Sequence, residues 1–155
     1  TSTLDLTNSA LTLPLHISLR ISFQAECCDY KEIIKEIKQY YQSLASFEVQ
    51  AQGIEKNGSI IWIRIESNKE LQNIHTYLIH SLSEKYGIGL HEFDKWFTYH
   101  VTLFMDADHS KVAEAYDLLS TETIPFQMTA NRFVIGISET GKVGEYRVVY
   151  EIEVN

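Results

Sequence analysis

Apolar and polar residues alternate without a break from Leu15 to Phe23. Leu15, Ile17, Leu19, Ile21 and Phe23 fall on one parity, and His16, Ser18, Arg20 and Ser22 on the other. A period of two marks a strand with one buried face, and Pro14 stands where a strand can open without a backbone donor. The pattern predicts a half-buried strand over residues 14 to 23. The period then lengthens. Tyr30, Ile33, Ile34, Ile37, Tyr40, Tyr41 and Leu44 recur at three and four residues, which predicts an amphipathic helix with Asp29 at its N-cap. Alternation returns at Phe47, Val49 and Ala51 and again at Ile61, Ile63 and Ile65, with Lys56-Asn57-Gly58 as the turn between two strands. Ser67 with Glu70 has the form of a capping box. It opens a second helix striped by Leu71, Ile74, Leu78 and Leu82 and stopped by Gly87.

The second half runs through a similar series. Residues 99 to 105 alternate as a strand. A helix follows with Val112, Ala115, Tyr116 and Leu119 on its stripe, then two strands over residues 126 to 137 and 146 to 154, joined by a loop at residues 140 to 144. The order is β-α-β-β-α, then β-α-β-β. We therefore expect an α+β fold of duplicated β-α-β-β units, with pseudo-repeats over residues 14 to 87 and 98 to 154 in one domain spanning residues 1 to 155. Duplication would put the two opening strands near a pseudo-two-fold axis.

Composition narrows the choices. The 155 residues are 45% hydrophobic and 22% charged, as in an ordinary globular chain. With 13 basic against 21 acidic residues and a formal charge of -8, an extended duplex-binding groove is not expected, because phosphate neutralisation dominates that affinity. A small phosphodiester in a local pocket remains open. No apolar stretch is long enough for a membrane span and no signal-peptide pattern is visible, so we expect a cytoplasmic monomer without membrane contact. The first residue is Thr rather than Met, so the chain can also be read as one piece of a longer protein. Cys27 and Cys28 are adjacent, which is awkward for a mutual disulfide, and C-x-x-C spacings are absent. No cofactor and no metal site are expected.

The chemistry concentrates in one repeated string. His16-Ile17-Ser18-Leu19 and His100-Val101-Thr102-Leu103 each read histidine, apolar, hydroxyl, apolar, and each lies in an opening strand. Residues i and i+2 share a face, so each copy sets an imidazole beside a hydroxyl. Singly, such a pair is ordinary strand surface; the functional reading rests on the repetition. One imidazole can accept a proton while a second donates one, and two hydroxyls can bond the non-bridging oxygens of a phosphate between them. Arg20 and Phe104 share the motif faces and are candidates to line the substrate. So are Trp62, which shares a strand face with Arg64, and Arg147. For Trp62 a core or edge position weighs more than base stacking. His75 reads as a packed helix histidine, His80 as solvated, and His91 and His109 as loop or cap residues.

The two quartets, about eighty residues apart, resemble the paired motifs of the 2H phosphoesterase superfamily. That superfamily includes 2′-5′ RNA ligases, RNA 2′,3′-cyclic phosphodiesterases and 2′-5′ oligoadenylate phosphodiesterases. The resemblance covers size, element order and both motifs. It implies a bilobal structure with two antiparallel sheets around a central cleft and helices outside. It also implies acid and base roles for His16 and His100, and phosphate binding by Ser18 and Thr102. The expected activity is metal-independent cleavage of an RNA 2′,3′-cyclic phosphate end, a small cyclic nucleotide or a 2′-5′-linked oligonucleotide. The alternative is a non-catalytic domain of the same fold that binds a nucleotide or RNA end.

Overall fold

A computed structural model describes residues 14–142 and 145–155; Val143 and Gly144 of the expected 140–144 loop lie outside the described residues. The elements in chain order are α1 (Tyr30–Gln42), β1 (Phe47–Asn57), β2 (Ile60–Ile65), α2 (Lys69–Tyr86), a short 3-10 helix (Glu92–Trp96), β3 (His100–Met105), α3 (His109–Leu119), β4 (Gln127–Ala130), β5 (Arg132–Ile137) and β6 (Arg147–Glu153). The fold is α+β. Its strands form a four-stranded antiparallel sheet in the order β3-β2-β1-β4 and a separate β5-β6 pair. Sheet membership cuts across the sequence halves: β1 and β2 from the first half pair with β3 and β4 from the second.

The helices follow their apolar stripes. Ile33, Ile37 and Tyr41 of α1 meet Ile74, Leu78 and Leu82 of α2 over Phe133 and Ile135 of β5. A second cluster joins Val49, Ala51, Ile65, Leu71, Tyr99 and Val101, so α2 packs on both sheets. Ile61 and Phe104 pack against Val112 and Ala115 of α3. No helix among the described residues is long and apolar enough to cross a membrane.

Several local expectations are corrected. Residues 14 to 23 do not form a strand: only Ile17 pairs, in one antiparallel bridge to Val101. Ile17 and Leu19 pack against the core clusters, but Leu15 and Phe23, on the same parity, are exposed. Alternation describes which face would be buried. A ladder also needs a partner edge, and here the carbonyl of Leu19 is taken by the His75 ring instead. The single strand expected over 126 to 137 is two, β4 on the large sheet and β5 on the small one, divided at Asn131. Asp29 precedes α1 without a side-chain capping bond. The N-cap of α2 is Asn68, whose side chain accepts from Leu71 N–H at 2.8 Å, while Ser67 sits one residue outside. Gly87 ends α2 as expected, with φ 65°, a left-handed conformation that a side chain would strain.

Two irregularities decide which side chains face which way. Between Ala51 and Gly53 the β1–β2 register shifts, with Gly53 at φ 140°. Before it Val49 and Ala51 turn to the core. After it Ile54 packs on the core, so Glu55 emerges on the opposite face. A second shift in the β2–β3 ladder pairs Trp62 with Thr102 but Ile61 with Phe104. One extra residue in a strand inverts the phase of everything beyond it.

Candidate active site on the open face of the large sheet

β3 opens at His100 and carries Thr102 two residues on, so both leave one face and Val101 the other. The bridge from Ile17 to Val101 is antiparallel. Continued in register, that pairing would set Ser18 opposite His100 and His16 opposite Thr102. Ile17 and Val101 both point into the core, which turns the four flanking side chains to the far side. An extended chain on either side of the bridge would put the two histidines on one diagonal, roughly 7–8 Å apart, and the two hydroxyls on the other.

The two rings are held in the same way. His16 Nδ1 lies 2.8 Å from the Pro14 carbonyl oxygen, and His100 Nδ1 lies 2.8 Å from that of Thr98. A carbonyl oxygen only accepts, so Nδ1 donates in each ring and Nε2 is the nitrogen left for chemistry. Each motif thus orients its imidazole through the backbone two residues upstream. A neutral ring held this way offers a lone pair at Nε2, and a protonated one offers a proton there.

β2 extends the same face. Arg64 pairs with His100 and Trp62 with Thr102, and Glu55 of β1 pairs with Trp62. The Trp62 ring lies 4.5 Å from that of His100, centroid to centroid, with the planes 34° apart. Its indole N–H donates to Glu55 Oε2 at 3.2 Å, and Arg64 reaches the same oxygen at 3.5 Å. Trp62 is therefore half-buried beside a motif histidine and not in the core. Arg64 and Glu55 both remain partly exposed, so a cation stands next to His100 on this face. Sequence reasoning put Arg64 with Trp62 but did not bring either to His100. Glu55 was missed altogether, because its orientation depends on the bulge at Gly53.

The remaining candidates lie elsewhere. Phe104 does not share the face of His100 and Thr102. The register shift turns it inward, where it is 2% exposed against Ile61, Val112 and Ala115. Arg20 turns toward α2, donating to the carbonyls of Leu78 at 3.2 Å and Gly89 at 3.1 Å, with its guanidinium 4.8 Å from the Phe23 ring centroid. Burial pulls its pKa down, partly offset by the nearby Asp94 carboxylate. Arg20 and Asp94 line a hollow of about 370 Å³ with Phe23, Leu90 and His91, whose walls include none of the four motif residues. The candidate site is the sheet face bearing His100 and Thr102, not this hollow. Arg147 sits on the small sheet, ion-paired with Glu139 at 3.0 Å.

Tyr99 points away from His100, its hydroxyl donating to the Leu71 carbonyl at 3.0 Å, and burial pushes its pKa up to about 12. His91 caps the 3-10 helix, accepting from Phe93 N–H, while its own N–H donates to Asp94. His80 is exposed. Among the described residues no three His, Cys, Asp or Glu side chains are grouped so as to hold a metal ion.

The chain has recognisable relatives. It is 25% identical, over 124 residues, to proteins named "Putative phosphoesterase" from Geobacillus sp., Geobacillus kaustophilus and Geobacillus thermodenitrificans. Each match covers 78% of this chain and 68% of the relative. The family model described as the 2′-5′ RNA ligase superfamily matches residues 5–142, a span that contains both histidine motifs. On that match the chain belongs to the 2′-5′ RNA ligase superfamily, the 2H phosphoesterases.

Proposed function

We propose that the chain is a metal-independent phosphodiesterase in which His16 and His100 serve as the acid–base pair. Its substrate is an RNA 2′,3′-cyclic phosphate end, a small cyclic nucleotide or a 2′-5′-linked oligonucleotide. The observation that carries this reading is the matched orientation of two imidazoles, each donating through Nδ1 and each leaving Nε2 free, on segments joined by the Ile17–Val101 bridge. One Nε2 lone pair removes a proton from the attacking water, whose oxygen bonds to phosphorus. Nε2–H of the other ring protonates the ribose oxygen as its bond to phosphorus breaks. Ser18 and Thr102 hydroxyls donate to the non-bridging oxygens, where negative charge builds. Trp62, beside His100, offers a ring on which a base can stack.

A hydrolysis panel tests this. It comprises nucleoside 2′,3′-cyclic phosphates, ADP-ribose cyclic phosphate and 2′-5′ and 3′-5′ oligoadenylates, each with and without EDTA. Turnover of at least one substrate should survive EDTA, and His16→Ala or His100→Ala should lower kcat by about 10²–10⁴-fold with the circular dichroism spectrum unchanged. Full activity in the double variant would refute the pairing. Binding of a nucleoside 2′-phosphate with no turnover on the panel would identify a non-catalytic binding domain instead.

A further inference from the structure

We propose that His75, a buried histidine outside the acid–base pair, is a positioning residue that sets the two histidine segments relative to each other. Among the described residues, the segment bearing His16 and Ser18 pairs with β3 through one bridge. Side-chain contacts add to that attachment. His75, only 9% exposed on α2, places Nδ1 2.9 Å from the carbonyl of Leu19, the residue after Ser18. Its Nε2 lies 3.3 Å from the carbonyl of Asp94, in the turn that leads into β3. The same ring stacks on Phe97 at 4.4 Å and meets the edge of Tyr99 at 6.3 Å. Between those two aromatics is Thr98, whose carbonyl orients the His100 ring.

One side chain therefore touches both segments that carry the motif residues. Both of its polar contacts are carbonyl oxygens, so each requires an N–H on His75. A neutral ring has one such N–H, and the shorter contact, to Leu19, makes the stronger demand on it. Loss of that bond frees the Leu19 carbonyl and lets the Ser18–Leu19 backbone shift against β3. Displacement of reacting groups by about 1 Å is enough to lower a rate about a hundredfold. Arg20 anchors the segment one residue further on, so it should loosen without detaching.

The kinetic part of this inference rests on the proposed acid–base roles of His16 and His100; the structural part does not. The test compares His75→Leu, His75→Asn and His75→Gln. An Asn amide nitrogen occupies the place of Nδ1 and can restore the bond to Leu19, whereas a Gln amide nitrogen occupies the place of Nε2 and serves only Asp94. The expected result is a fall in kcat of about 10–100-fold in the Leu and Gln variants, with KM within threefold of wild type and recovery in the Asn variant. Amide hydrogen exchange over residues 15–24 should accelerate in the Leu and Gln variants and return toward wild type in the Asn variant. If the Leu variant does not fold, the Asn–Gln comparison decides. Asn and Gln variants alike in both readouts would overturn the proposal. If the wild type hydrolyses nothing on the panel, the functional reading fails, and the exchange measurement still decides the role of His75.

Discussion

Glu36 on α1 offers the most direct test of what holds α2 in place. Three donors from one stripe of α2 converge on its Oε1: the Tyr77 hydroxyl at 2.7 Å, the Ser81 hydroxyl at 2.9 Å and Lys85 Nζ at 2.6 Å. Together they hold the carboxyl near a pKa of about 2, Lys85 contributing most. Against an ordinary value of 4.5, full linkage would correspond to about 3 kcal/mol of stability at neutral pH. The Lys85 side chain keeps 53% of its surface exposed, so solvent screening reduces this to about 1–2 kcal/mol. In a chain of this size that is a Tm difference of about 2–8 °C.

The folded-state pKa is depressed, so this stability is fully present above pH 4.5 and is lost as pH falls from there toward 2. Glu36→Gln keeps an acceptor for the hydroxyls and removes the charge. Thermal unfolding followed by circular dichroism should show the variant melting lower by the stated amount at pH 7. The gap to wild type should close between pH 4.5 and 2. A gap that persists unchanged at the acid end, or none at pH 7, would refute the assignment of the clamp to a charged carboxylate.

Two further substitutions separate core from site. Phe104→Ala should destabilise the fold by about 3–5 kcal/mol in chemical denaturation, with nucleotide affinity in the folded protein within twofold of wild type. A selective loss of affinity instead would return Phe104 to the substrate face. Trp62→Ala should leave Tm nearly unchanged and weaken nucleotide binding, measured by calorimetry, by about 5–150-fold, the range of one base–aromatic stack. Unaltered affinity would mean that the ring serves only to pack His100.

The sequence carried the helices well, because a three- and four-residue stripe such as Ile33, Ile37 and Tyr41 is a local property that packing only has to accept. Caps were less legible. Ser67 and Asn68 are both competent, and the choice fell to Asn68, whose amide also donates to the Glu48 carbonyl across the sheet. Strand faces were legible only as far as the first irregularity. Strict alternation carries Phe104 to the side of His100, and one shifted residue reverses that.

By itself the sequence determined the chemistry available: two His-x-hydroxyl pairs, each with its apolar neighbour marking which side is buried. That follows from the two-residue period of an extended chain, which needs no partner to be read. Only the tertiary structure decided that Ile17 meets Val101, that both rings present Nε2, and that Trp62 and Arg64 stand beside His100 while Arg20 and Arg147 are committed elsewhere. Register and bulges arise from contacts between residues tens of positions apart, and the ring orientations from rotamers that bring each Nδ1 to a carbonyl two residues upstream. Where a continuous strand was expected over residues 14 to 23, the described residues show one backbone bridge and a carbonyl bonded to the His75 ring.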